Sequence, residues 1–125
     1  MFWNKYFWSS FSVMIIIVGL HWFASLHDLY DAVWWYDIPM HFLGGLWVFL
    51  FILWVTHTEY DRFLLRRTPV RDVLILVLVT GILWEVLEIV LSFTRFSDPG
   101  YFFDMPKDLA MDTLGAVAGS VFYKK

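Results

Sequence analysis

The chain contains no cysteine. That absence excludes disulfides, thiolate metal sites and cysteine nucleophiles, and it leaves the redox compartment undetermined. Charge is also sparse. Asp, Glu, Lys and Arg make up 17% of the 125 residues, and the net charge is −3. No basic patch alternates with stacking aromatics, so no nucleic-acid partner is expected. Low-complexity tracts, internal repeats, a phosphate-binding loop and a recognisable nucleophile motif are all missing. What fills the chain instead is apolar. Hydrophobic residues make up 60%, with 8 Trp and 13 Phe, and the mean hydropathy is +0.64. Both exceed what a soluble globular domain carries. The aromatic excess suits rings that anchor at a membrane interface.

A helix needs about 20 apolar residues to cross a bilayer. The hydropathy pattern predicts an all-α chain forming a single transmembrane domain over residues 1–125, with spans at about 6–26, 37–56, 70–93 and 105–123. The last is the weakest, because it holds Lys107, Asp108 and Asp112. The first apolar run is of full span length and lacks a small-residue cleavage site, so it reads as a retained span rather than a signal peptide. Ser97-Asp98-Pro99-Gly100 marks a turn before the last span. Lys and Arg set orientation. Lys5, the middle-loop Arg62, Arg66, Arg67 and Arg71, and the terminal Lys124 and Lys125 outweigh Arg95 and Lys107 of the other loops. The expectation is a four-helix transmembrane bundle, N-in/C-in, integral to a membrane and most simply the bacterial inner (cytoplasmic) membrane. The four Arg could also touch anionic lipid.

Six ionisable residues interrupt these spans: Asp37, His41, Glu85, Glu88, Asp108 and Asp112. On insertion scales each costs roughly 2.5–3.5 kcal/mol at a helix centre, so a chain that keeps them uses them. Spans two and four enter from outside, which puts Asp37, His41, Asp108 and Asp112 in their first turns. Span three runs outward, which puts Glu85 and Glu88 near its outer end. At 1.5 Å rise per residue all six fall within roughly 10 Å of the outer boundary. Asp37/His41 and Asp108/Asp112 are spaced i,i+4 and Glu85/Glu88 i,i+3, so each pair shares a helix face. Each face continues inward as glycine, through Gly44 and Gly45, through Gly81, and through Gly115 and Gly119. Small residues at that spacing let helices approach closely. The three stripes are therefore expected to face one another.

Simpler roles are also available to several of these residues. Asp37, before Pro39, suits an N-cap. Asp104, before Met105-Pro106, reads as a cap, and Asp108 suits the positive end of a helix macrodipole. His41, Glu85 and Glu88 could be held by interhelical hydrogen bonds, or the glutamates by Lys107 or Arg95. His21 reads as a satisfied core histidine, His27 and His57 as interface residues, and Trp34-Trp35-Tyr36 as an aromatic belt.

The strings Asp37-Ile-Pro-Met-His41-Phe-Leu-Gly44-Gly45, Trp84-Glu85-Val-Leu-Glu88 and Asp108-Leu-Ala-Met-Asp112-Thr113-Leu-Gly115 resemble those of YjdF-like integral membrane proteins, and more loosely those of VanZ-like proteins. The resemblance covers spans two to four. It implies a multi-helix membrane protein whose polar motifs gather at one membrane face.

Carboxylates this close cannot all stay ionised without compensation. An oxygen-rich set with imidazole suits a divalent metal ion, whose identity the sequence leaves open. The expected metal ligands are Asp37, His41, Glu85, Glu88, Asp108 and Asp112. Glu85 or Glu88 would serve as general base if the site is catalytic, acting on a lipid or lipid-linked substrate at the outer leaflet. The competing reading is a non-enzymatic accessory or scaffold subunit of a larger membrane complex, binding lipid or pigment. A proton or cation pathway is disfavoured, because the inner halves of the spans carry no continuing polar residues.

Overall fold

Asn4 starts the first helix. Its side chain accepts hydrogen bonds from the backbone N–H groups of Tyr6 and Phe7 at 3.0 and 3.1 Å, which satisfies two of the donors that a helix start leaves free. The computed structural model describes residues 3–57, 69–91, 93 and 95–121. These form helices α1 (Lys5–Leu26), α2 (Leu29–Ala32), α3 (Asp37–Thr56), α4 (Val70–Val90) and α5 (Tyr101–Ser120), with no strand among them. Glu59, Asp61, Arg62, Arg66, Arg67, Lys124 and Lys125 lie outside the described residues.

Three helices, α1, α3 and α4, are long and apolar enough to cross a membrane. Helix α5 has comparable length, but Asp104, Lys107, Asp108 and Asp112 keep its composition short of that mark. Two boundaries differ from the sequence expectation. Helix α4 stops at Val90, short of Phe93. Helix α5 starts at Tyr101, a full turn before the expected Met105. Gly100 at φ 85° supplies the left-handed residue that turns the chain, and its carbonyl accepts from Phe103 and Asp104 at 2.8 and 2.9 Å. Pro106 therefore sits inside the helix, where it forfeits one backbone bond. Asp104 is consequently not the cap, and Asp108 is about two turns in, beyond the reach of the macrodipole argument.

Threading follows from contacts at the two ends. Tyr6 of α1 packs its ring 4.9 Å from that of His57, just after α3, while the Tyr36 hydroxyl, just before α3, donates to the Leu20 carbonyl of α1 at 2.9 Å. Helices α1 and α3 are thus antiparallel. Helices α3 and α5 run parallel and touch through their backbones. A Cβ on Gly45 would collide with the Asp112 carbonyl, and one on Gly115 would collide with the Phe42 carbonyl. One turn further along, Gly119 accepts the Phe49 ring, which a Cβ would meet at 2.8 Å. Helix α4 lies antiparallel to α5, with Gly81 against Leu109 and Asp112.

Below this crossing the bundle is apolar. Tyr6, Phe49, Leu53, Val73, Val77 and Ala116 are buried together, with Val48, Ile52, Trp54, Val70 and Leu74 packed around them. The polar residues are confined to the other end. Outward faces of α1 and α4 expose residues such as Trp22, Ile16, Leu83 and Val90, as lipid-facing helices do.

Filling the crossing should unfold it. Overpacking a tight core costs typically about 1–3 kcal/mol, and here the obstacle is a carbonyl that no rotamer change can move. Gly45→Ala and Gly115→Ala should each lower the thermal midpoint in detergent by an amount at or above the top of that range. Gly19→Ala, where a Cβ meets nothing within 4 Å, should leave the midpoint unchanged or raise it.

Candidate functional site

His41 lies one helical turn from Asp37 and almost one from Gly44, so the α3 stripe that meets α5 carries its ring into the crossing. The side chain is 10% exposed, and its two nitrogens face different partners. Nδ1 donates to Asp112 Oδ1 at 3.3 Å. Nε2 lies 3.4 Å from Asp37 Oδ2 and 3.7 Å from Asp108 Oδ2. The Asp112 carboxylate fits there because Gly81 leaves it room. A Cβ on Gly81 would meet Oδ2 at 2.7 Å, and one on Gly44 would meet Oδ1 at 3.8 Å.

Asp108 is buried, and its second oxygen, Oδ1, has no hydrogen-bond partner. Lys107 Nζ stands 3.5 Å from that oxygen but bonds Asp104 Oδ1 at 2.5 Å. Beside Asp108 opens a cavity of about 250 Å³, lined by Asp37, Glu85, Glu88, Asp98, Pro99, Tyr101, Asp104, Met105 and Asp108. Helix α4 contributes one wall. Glu85 is buried there, and Glu88 is half-buried, with one oxygen accepting from Trp84 Nε1 at 2.8 Å. The last turns of α4 and the first turns of α3 and α5 therefore share one end of the bundle.

Asp37, His41 and Asp108 each offer a donor atom within 4.8 Å of the others. Ligands bonded to one metal at about 2.1 Å stand about 3.0 Å apart in octahedral and 3.4 Å apart in tetrahedral geometry. The separations from Nε2 are 3.4 and 3.7 Å, so these three could hold an ion once the two carboxylates draw in around it. Asp112 is not in that group. It faces the other ring nitrogen, where a carboxylate fixes tautomer and orientation and makes the opposite nitrogen a better ligand. Glu85 and Glu88 line the same cavity without joining the three-donor group.

The other histidines are elsewhere. His21 is exposed rather than a core residue, and its Nδ1 pairs with the Tyr30 hydroxyl at 2.9 Å. Burial, and then the negative charge of Asp37, push the Tyr30 phenol above its ordinary range, so Tyr30 keeps its proton. His27 and His57 bond the carbonyls of Phe23 and Leu53 within their own helices. Asp98, Tyr101, Asp104 and Met105 line the cavity but were not among the candidates from sequence. The Asp-Pro-Gly turn signal could have pointed to Asp98, since such a turn had to fold back over the helix start.

A family model described as a predicted membrane protein (DUF2238) matches residues 3–125. No curated protein and no solved structure matches the chain.

The ring of His41 separates three carboxylates. Removing one member of a buried charged group while leaving its partners costs about 3–5 kcal/mol. His41→Leu should therefore destabilise the metal-free protein by about 3 kcal/mol in denaturant unfolding in mixed micelles. An unchanged midpoint would mean that the carboxylates are not held around the ring.

Proposed function

The chain belongs to this family of predicted membrane proteins, DUF2238, and we propose that it binds a divalent metal ion through Asp37 Oδ2, His41 Nε2 and Asp108 near the outer face of the membrane. The observation that carries the proposal is the convergence of Asp37 Oδ2 and Asp108 Oδ2 on His41 Nε2, beside a buried Asp108 Oδ1 that makes no hydrogen bond among the described residues and whose nearest cation, Lys107, is bonded to Asp104. A buried carboxylate oxygen without a partner is unstable unless a cation or donor completes it. Asp112 on Nδ1 supports the same reading, because histidine ligands regularly carry such a carboxylate. Oxygen donors dominate, which suits Mg²⁺, Mn²⁺, Fe²⁺ or Zn²⁺ rather than soft-ligand metals.

The finer membrane reading extends the three apolar helices. Helix α5 crosses as a fourth span because its polar side is turned toward α3 and α4 rather than toward lipid. The distribution of Lys and Arg puts both ends on the cytoplasmic side, and the cavity then opens toward the outer leaflet of a bacterial inner membrane. In that position the bound ion would polarise a phosphoryl or carbonyl oxygen of a lipid or lipid-linked substrate, or activate water. Glu85, on the opposite wall, is placed to accept a proton. The three motifs that resemble those of YjdF-like proteins build this end of the bundle.

Protein purified without chelator should carry about one metal ion per chain. Asp108→Asn should lose it. Asp112→Asn should retain the donor set but bind roughly 10–100-fold more weakly, as loss of a carboxylate behind a ligating histidine does. A folded, metal-free parent that takes up no added Mn²⁺, Mg²⁺ or Zn²⁺ contradicts the proposal and favours a scaffold role.

A further inference from the structure

Six carboxylates line the cavity, and five of them have a partner of their own. Asp37 faces His41. Asp108 faces His41 and Lys107. Asp104 holds Lys107, Asp98 accepts from the Arg95 backbone N–H at 2.7 Å, and Glu88 accepts from Trp84. Glu85 is the exception. The residue is 6% exposed, and its carboxylate makes no hydrogen bond or ion pair among the described residues. Its oxygens open to the cavity, so only water or a cation held there can complete them. The nearby cations are committed elsewhere, since Lys107 is bound to Asp104 and His41 Nε2 faces Asp37 and Asp108.

We infer that Glu85, assisted by the free oxygen of Glu88, forms a second cation subsite on the α4 wall, facing the Asp37–His41–Asp108 group across the cavity. The inference rests on the cavity being cation-binding, and it adds what the first group cannot supply. Six carboxylates set against Lys107 and one divalent ion leave the cavity strongly negative, which repels any anionic headgroup. A second cation at Glu85 lowers that excess without removing it, more for a divalent ion than for an ammonium group. The occupant is a hard cation, supplied either as a second divalent ion or as the ammonium group of a ligand. Glu88 is three residues further along the same face, and its Trp84 bond fixes one oxygen and leaves the other for the shared ligand.

Mn²⁺ titration of the full chain in detergent, read by the EPR signal of free ion and repeated with ethylammonium as competitor, distinguishes the sources. Two Mn²⁺ per chain, falling to one in Glu85→Gln, supports the inference with a metal in the second subsite. One Mn²⁺ together with ethylammonium binding that Glu85→Gln abolishes supports it with an ammonium group there. Glu85→Gln with parental Mn²⁺ stoichiometry and parental ethylammonium affinity overturns it. Should Glu85→Gln fail to give a monodisperse helical protein, Glu88→Gln decides. It should weaken the second binding event roughly tenfold, and parental affinity overturns the inference. Asp108→Asn separates the two readings. An ion lost there but unaffected by Glu85→Gln leaves the first site standing and removes only the second, whereas no Mn²⁺ binding at all removes both.

Discussion

The α3–α5 crossing is made by backbone meeting backbone. Gly45 lies against the Asp112 carbonyl and Gly115 against the Phe42 carbonyl, with no side chain between them. Lipid supplies no hydrophobic drive for two apolar helices to associate, so such contacts depend on shape and on close approach. The arrangement also dictates the chemistry at the polar end. With the axes this close, residues one to two turns before the glycines are brought together, and those residues are His41 on α3 and Asp108 and Asp112 on α5. The site is a consequence of the crossing, and the apolar cluster around Phe49 and Val77 keeps the crossing in place from the other side.

Glycine has a second role at this point. Gly81 of α4 makes way for the Asp112 carboxylate, which lies at ordinary contact distance from Gly44 of α3. That group then bonds the nitrogen of His41 that points away from the cavity. The ring is left with its other nitrogen between two carboxylates. On the proposed reading, a histidine held from behind by an acid, with its other nitrogen directed at further oxygen donors, would be oriented for a cation before one arrives, and pre-orientation lowers the cost of binding. Lys107 and Asp104 form an internal ion pair at the rim that occupies the one lysine near the cavity among the described residues.

Much of this was legible in the chain. The i,i+4 spacing of Asp37 and His41 and of Asp108 and Asp112, followed in each case by glycine, defines helix faces that can meet closely, and α3 runs over 37–56 as the hydropathy pattern indicates. Spacing specifies a face but not a rotamer. It could not show that Asp112 would take Nδ1 while Asp37 and Asp108 took the Nε2 side. Nor could it show that Lys107 would turn to Asp104. Helix α5 starts a turn earlier than Pro106 suggests to a sequence reading. Gly100, with its left-handed backbone, initiates the helix earlier, and an interior proline is tolerated where it gives up a single bond near the end of a helix. That shift also carried Asp98 and Tyr101 to the cavity wall.

The central claim is that His41 presents Nε2 to a cation shared with Asp37 and Asp108. Electron spin-echo modulation of Mn²⁺ bound to protein labelled with ¹⁵N-histidine tests it directly. The account predicts hyperfine coupling to a single directly bonded imidazole nitrogen, absent from the His41→Leu protein. Bound Mn²⁺ showing no nitrogen coupling, or the same coupling after His41→Leu, would contradict it.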